Sequence, residues 1–238
     1  MTDQGVALRT EKRQVPGEFD RVAHRYDRLA ALNPGYGDHL RASAGRLGAP
    51  ADGSLLDLCC GTGISTLALR REYPHARITG MDASAEMLAV ARDKEELAGI
   101  EFVHGNAMDP SELPGGYDGI LMAYGIRNMP DADRCLAGVL DLLRPGGSIC
   151  FHEYSVADSA WSRAVWNGVS MSVIIPLGFF TSPRSRIYRY LRRSVLDFDG
   201  VQEFEGRLSR AGFVDVRTEP TSGWQRGILH SFVARRPS

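Results

Sequence analysis

Long apolar runs are missing from this chain. No uninterrupted stretch reaches the roughly 18 residues that a membrane-spanning helix needs, which excludes an integral helical protein. A strong charge of one sign is missing too: the formal net charge is −1, which gives no electrostatic reason to expect a nucleic-acid partner. Cysteine is scarce. The four present are Cys59 and Cys60 side by side, then Cys135 and Cys150, a distribution unlike a disulfide framework. They read as small reduced core residues. A metal site on Cys59 and Cys60 has the wrong ligand spacing, so no metal is expected. The first residues lack the basic-then-apolar pattern of a secretion signal. Together these absences predict a cytoplasmic protein. Internal repeats and low-complexity tracts are also absent.

What is present is an ordinary globular composition, 43% hydrophobic and 24% charged over 238 residues, enough for one α/β domain with embellishments. Residues 1–17 are polar and read as a frayed tail. From Glu18 onward Phe19, Val22, Ala23, Tyr26, Leu29 and Leu32 recur at helical spacing, and Asn33-Pro34-Gly35 divides this region from a second helix with His39, Leu40, Ala44 and Leu47. Residues 1–47 therefore form a tail and lid helices, ahead of a main domain over 48–238. There, short apolar runs at 54–60, 76–82, 100–106, 117–124 and 147–154 alternate with amphipathic stretches at 64–73, 84–97 and 131–143. Ser84 suits the N-cap of the second of these, and Arg144-Pro145-Gly146-Gly147 stops the third before its strand. Such alternation builds a parallel sheet covered on both faces, with ligands at the carboxyl ends of the strands.

Residues 155–198 interrupt the pattern as a helical cap. They carry Trp161, Trp166, Phe179 and Phe180 and end in a basic run, Arg184, Arg186, Arg189, Arg192 and Arg193. The cap reads as a small core of its own, as the wall of a pocket for a long apolar substrate, or as a patch touching a membrane periphery. A helix at 200–211 and strands at 213–220 and 228–235 complete the chain.

The stretch from Leu55 to Ile64 is a buried strand running into Gly61-Thr62-Gly63 and then a helix, a geometry that lets backbone approach a ligand closely. A dinucleotide site would place a third glycine where Thr66 stands, which argues against a dehydrogenase. Asp82 closes the next strand at a spacing suited to accept from ribose hydroxyls. Asn106 follows at the third strand end, and Tyr124 to Asn128 at the fourth.

These segments, with Asp57-to-Gly63, Gly80-Met81-Asp82, Gly105-Asn106-Ala107, Tyr117-Asp118 and Leu143-Arg144-Pro145-Gly146-Gly147 in order, resemble the class I S-adenosylmethionine-dependent methyltransferases. Tyr124-Gly125-Ile126-Arg127-Asn128 is similar to the Phe-Gly-Leu/Ile-Arg-Asn box of the ubiquinone/menaquinone C-methyltransferase family. Val22-Ala23 with Tyr26-Asp27, Glu153-Tyr154-Ser155, Tyr188-Arg189-Tyr190-Leu191 and Gly227-Ile228-Leu229-His230-Ser231 are similar to that family as well. The chain departs from it at Leu29 to Tyr36, at Cys59-Cys60 and at Ile64.

The resemblance implies a Rossmann-like doubly wound sheet of seven strands, mostly parallel with the last antiparallel. It implies S-adenosylmethionine as cofactor, held by Asp57, Gly61, Thr62, Gly63, Asp82, Ala83, Met87, Asn106, Ala107 and Tyr124. The implied reaction is C-methylation of a small aromatic or prenylated quinol. In it Arg127 would hold the phenolate oxygen and Asn128 would orient cofactor or substrate, with Tyr26, His152, Glu153 and His230 as candidate bases. O- or N-methylation of a secondary metabolite, or a cyclase or binding protein keeping the cofactor, are the alternatives on the same scaffold. A homodimer and a monomer are both compatible with the sequence.

Overall fold

The computed structural model describes residues 12, 14–177 and 187–238. Its centre is β1 (Ser54–Leu58), whose residues from Leu55 on are all buried. A strand in that position has helices on both faces, so its apolar residues must serve both. Leu56 and Leu58 pack with Ile120, Ile149 and Phe232 into one core layer, whereas Leu55 packs with Leu121, Cys150 and Val233 into the other. This is the two-residue period of a strand expressed as two cores.

Seven strands form one sheet: β1, β2 (Arg77–Asp82), β3 (Glu101–His104), β4 (Tyr117–Ala123), β5 (Leu143–Tyr154), β6 (Val214–Pro220) and β7 (Leu229–Arg235). Their order is β3-β2-β1-β4-β5-β7-β6. The first five run parallel, while β7 pairs antiparallel with both β5 and β6. The strand order therefore reverses between β1 and β4, where the carboxyl ends of adjacent strands diverge and leave a crevice. The expected seven-stranded architecture is the observed one.

The helices follow from local signals. α1 (Ala23–Ala31) and α2 (Tyr36–Gly45) are separated at Asn33-Pro34-Gly35, and Gly35 supplies the left-handed φ of +82° at the start of α2. α3 (Ile64–Glu72) and α4 (Ala85–Arg92) follow β1 and β2; the Ser84 side chain caps α4 by accepting from the Met87 N–H. α5 (Ala132–Leu142) starts at Asp131, which accepts from the Arg134 N–H. α6 (Ala160–Val169), a π-helical turn at Ser170–Ile174 and α7 (Ile187–Leu196) lie between β5 and α8 (Val201–Arg210). Phe179, Phe180, Arg184 and Arg186 fall outside the described residues.

Three boundaries differ from expectation. Residues 14–17 are helical, with Val15 buried against Val22 and Met87, because this segment packs over α4. The stretch 84–97 divides into α4 and a separate 3-10 turn at Glu95–Leu97, with Lys94 extended between them. Strand β5 begins at Leu143, so Arg144 to Gly147 extend the strand as an irregularity opposite Tyr117. Gly147 is required there, since a Cβ would lie 2.9 Å from the Tyr117 carbonyl oxygen. Among the described residues no helix is long and apolar enough to cross a membrane.

Candidate active site

A cavity of about 520 Å³ opens at the carboxyl ends of β1 to β4, within the usual range for small-molecule sites. Its floor is the loop after β1. Cys59 sits there at φ 64° and Gly61 at φ 54°. A left-handed Cys59 is a strained conformation of the kind that concentrates at functional sites. At Gly61 a Cβ would meet nothing within 4 Å, so its missing side chain leaves open space over the loop. Gly63 serves packing instead: a Cβ would come 2.5 Å from Leu97 Cδ1, so glycine lets α3 and the 3-10 turn approach. Gly63 does not line the cavity.

Asp82 stands at the end of β2 on the cavity wall. Its Oδ2 accepts from the Gly61 N–H at 2.8 Å and its Oδ1 from the Ser84 N–H at 2.9 Å. Burial pushes the Asp82 carboxyl up and these backbone donors pull it back. Each oxygen keeps a lone pair for a ligand hydroxyl. Ala83, Met87, Asn106 and Ala107 line the same wall, and the Asn106 side-chain oxygen is turned to the Met108 N–H.

Asp57 lies one layer behind. Its Oδ2 accepts from Ser65 Oγ and Thr66 Oγ1 at 2.8 and 2.6 Å, fixing the first turn of α3, and its Oδ1 has no partner among the described residues. Full burial raises its carboxyl to about 7. Thr66, in the place of a third glycine, thus has a definite task. Thr62 faces the lid: its hydroxyl donates to Asp27 Oδ1 at 2.6 Å, and Lys94 bridges Asp27 and the Thr62 carbonyl.

Tyr124, at φ 56°, follows β4 directly and stands between this cavity and a second one of about 280 Å³. Phe19, Tyr26, Tyr36 and Tyr124 line both. The Tyr36 ring stacks on Tyr124 with centroids 5.6 Å apart, and its hydroxyl lies 3.3 Å from that of Tyr26. Burial raises the Tyr26, Tyr36 and Tyr124 hydroxyls, so each remains protonated near neutrality. The second cavity is otherwise walled by Leu29, Trp166, Ile174, Tyr190 and Leu191 among others. Part of the interrupting segment is therefore a pocket wall.

Arg127, on the 3-10 turn Ile126–Asn128, lines the second cavity while almost fully buried. Its Nη1 donates to Glu153 Oε1 at 2.6 Å and to the Tyr124 carbonyl at 2.9 Å; its Nε–H has no partner among the described residues. The ion partner is thus Glu153, whereas Asp131 caps α5 and Asp133 pairs with Arg207. Burial raises the Glu153 carboxyl, and the Arg127 guanidinium draws it down again. Asn128 lines the first cavity, but its amide is engaged with the Tyr124 carbonyl and the Tyr190 hydroxyl.

Three of the expected bases sit elsewhere. His152, Glu153 and His230 line neither cavity; they lie buried where the carboxyl end of β5 pairs with the start of β7. Burial pushes His152 down to about 3 and His230 to about 4, so both are neutral. Residues missed from sequence are Tyr36, Phe19, Lys12 and Asp27, all contributed by the N-terminal segment. Their spacing carried no signal that separates a pocket aromatic from a core one.

The first cavity fits a sulfonium nucleoside: open space over Gly61 admits close backbone approach, and the oriented Asp82 carboxylate can accept from a diol. Comparison with known proteins agrees. The model of the ubiE/COQ5 methyltransferase family matches residues 7–232. A protein named ubiquinone/menaquinone biosynthesis C-methyltransferase UbiE, from Methylobacterium nodulans, is 36% identical over 236 residues, covering 93% of this chain and 92% of the relative. A demethylmenaquinone methyltransferase of Listeria welshimeri is 28% identical over 221 residues, covering 90% and 93%. Among solved structures, the [4+2]-cyclase SpnF superposes with a TM-score of 0.70 at 18% identity, covering 95% of this chain and 96% of that one, a likeness of fold alone. With the family model spanning nearly the whole chain and the cavity built to suit the cofactor, the chain belongs to the ubiE/COQ5 methyltransferase family and is an S-adenosylmethionine-dependent methyltransferase.

Proposed function

We propose that the protein C-methylates the ring of a demethylmenaquinol-like quinol or related phenol by direct in-line transfer. The observation that supports this reading is the second cavity, aromatic and aliphatic in lining, which meets the first at Tyr26, Tyr36 and Tyr124. A flat apolar ring there would lie next to the cofactor cavity, against a largely apolar wall. The 36% identical relative bears a quinone C-methyltransferase name over nearly its full length, which favours the same acceptor class.

S-adenosylmethionine supplies an electrophilic methyl group on positively charged sulfur. Asp82 would hold the sugar of that cofactor above the Gly61 backbone, and Ala83, Met87, Asn106 and Ala107 would enclose its base. Holding acceptor and donor in line can contribute an effective molarity of about 10⁵ M or more. Carbon attack is favoured when the ring hydroxyl is ionised. The Arg127 guanidinium, held by Glu153 and the Tyr124 carbonyl at the wall of the second cavity, is the cationic group that would stabilise that oxygen.

Incubation with labelled S-adenosylmethionine and a panel of demethylated quinols and phenols, followed by mass localisation of the label, tests the proposal. Label on ring carbon with both hydroxyls intact supports it; label on oxygen or nitrogen, or cofactor binding with no transfer, overturns it. Arg127→Lys keeps a charge opposite Glu153 but loses the planar, delocalised guanidinium. It is expected to lower turnover at least tenfold, on the order of one lost oxyanion donor, with S-adenosylhomocysteine affinity unchanged by calorimetry.

A further inference from the structure

A line of buried polar groups runs from α2 to the wall between the two cavities. Arg46 Nη1 lies 2.5 Å from Ser231 Oγ, which lies 2.6 Å from Ser43 Oγ. Ser43 Oγ is 2.7 Å from His152 Nδ1, and His152 Nε2 is 3.0 Å from the Tyr124 hydroxyl. Ser43, His152 and Ser231 have no solvent exposure. Arginine has no acceptor, so Arg46 donates to Ser231. In the arrangement where Ser231 donates to Ser43 and Ser43 to Nδ1, the single proton of neutral His152 is on Nε2. His152 then donates to Tyr124.

A second line reaches the neighbouring tyrosine. His39 Nδ1 lies 2.9 Å from Gln225 Oε1, and Gln225 Nε2 donates to the Tyr154 hydroxyl at 3.2 Å. An amide oxygen only accepts, so the direction is again fixed toward the pocket. Gln225 is fully buried, and His39 and Ser43 stand four residues apart on α2, on one helical face. The Tyr124 and Tyr154 rings are 5.1 Å apart and their hydroxyls also interact. Both oxygens accept from behind. One hydroxyl can donate to the other, and the remaining proton is directed into the second cavity, which both residues line.

We propose that Tyr124 and Tyr154 form an oxyanion-binding pair, in which one hydroxyl donates to the other and the remaining hydroxyl proton stabilises the acceptor's ring oxygen as it takes on negative charge. His152, Ser43 and Gln225 are positioning residues that set the direction of donation. This inference rests on the acceptor being a hydroxylated ring, as proposed above. It assigns to Tyr124 a role that the phenylalanine of the resembling box could not fill. Donors oriented in advance and arranged in a chain strengthen one another, and a bond to a charged oxygen is stronger than one to a neutral oxygen. Burial also raises both hydroxyls, Tyr154 to about 12, so they give hydrogen bonds without ionising themselves.

The test is a spectroscopic titration of a nitronaphthol, whose ionisation is visible in its absorbance, bound to the full chain loaded with S-adenosylhomocysteine. The expected result is a bound probe that ionises at lower pH than in water. Tyr124→Phe should raise the midpoint of the probe's ionisation by about one pH unit, a tenfold change of the size expected from one lost charge-assisted donor. Tyr154→Phe should shift it the same way. Ser43→Ala, which leaves both tyrosines in place, should give a smaller shift in the same direction, an effect that a purely structural role would not produce. A wild-type probe that binds but ionises as in water, or phenylalanine variants that leave its midpoint unmoved while melting like the wild type, overturns the inference. Failure of the probe to bind the loaded protein overturns the acceptor-cavity reading, and with it this one.

Discussion

Asp57 shows most plainly what a single residue contributes and costs. It is buried without a cationic partner, and its carboxyl is raised from 3.8 to about 7. The folded protein therefore holds a proton that the unfolded chain releases near pH 4. Stability from this group is greatest below pH 4, declines as pH rises through that window, and levels off above about 7. The full difference is at most about 4 kcal/mol, from roughly three pKa units. Asp57→Asn keeps an acceptor for Ser65 and Thr66 but cannot ionise. Its stability relative to wild type should therefore rise between pH 4 and 7 in urea unfolding, and a constant difference would refute the buried-acid account. Asp82 is the other informative carboxylate. Asp82→Ala should weaken S-adenosylhomocysteine binding more than about tenfold, through loss of charge-assisted bonds to the sugar. Because Asp82 also holds the Gly61 and Ser84 N–H groups, Asp82→Asn should lose less; equal calorimetric affinities for wild type and both variants would remove Asp82 from the site. Asp82 was legible as a carboxylate closing its strand, whereas Asp57 was expected against the cofactor and instead lies behind the cavity wall on Ser65 and Thr66. His152 and His230 were not legible, because what neutralises them is the pairing of β5 with β7, distant in sequence.

Among the elements, α1 and the turn before it connect the lid to the sheet. Asp20 accepts from Ser84 Oγ, while Asp27 accepts from Thr62 and pairs with Lys94 at 2.6 Å. Each contact joins the N-terminal segment to a loop that borders the cofactor cavity. Asp27 is partly exposed, so its ion pair is worth little by itself. Its value is in where it ties the chain down. Asp27→Ala should speed release of bound S-adenosylhomocysteine by a few-fold and raise amide exchange over residues 23–31, with exchange in β1 and β4 unaltered. Unchanged release would show that the segment does not gate the cavity. The helical period of this region was readable, and so was its break at Pro34. Its course over the cavity was not: the tie points are single Asp, Ser and Thr residues that look like solvated surface. The same limit applies to β5, where Pro145 and two glycines signal a stop. They stop the helix at Leu142 as expected, but the strand already begins at Leu143 and bulges over 144–147, where Gly147 fits because only a residue without Cβ clears the Tyr117 carbonyl.

At the scale of the whole molecule, two cavities with different chemistry share a wall of four aromatic residues drawn from two distant parts of the chain. Phe19, Tyr26 and Tyr36 come from the N-terminal segment and Tyr124 from the central sheet. A ligand in either cavity packs against the same rings, so ordering them for one ligand lowers the entropic cost of ordering them for the other. The two bindings should therefore be coupled with positive sign. Linkage requires the effect to be reciprocal: a demethylated naphthoquinol should tighten S-adenosylhomocysteine by the same factor that S-adenosylhomocysteine tightens the naphthoquinol. Tyr36→Ala removes the ring stacked on Tyr124 without touching Asp82 or the Gly61 loop, and should bring that factor toward one while leaving binary cofactor affinity within a few-fold. Calorimetric titrations of each ligand with and without the other measure both legs of the cycle. Independent binding in the wild type would mean that the shared wall is already rigid, and that the two cavities work as separate sites on one sheet.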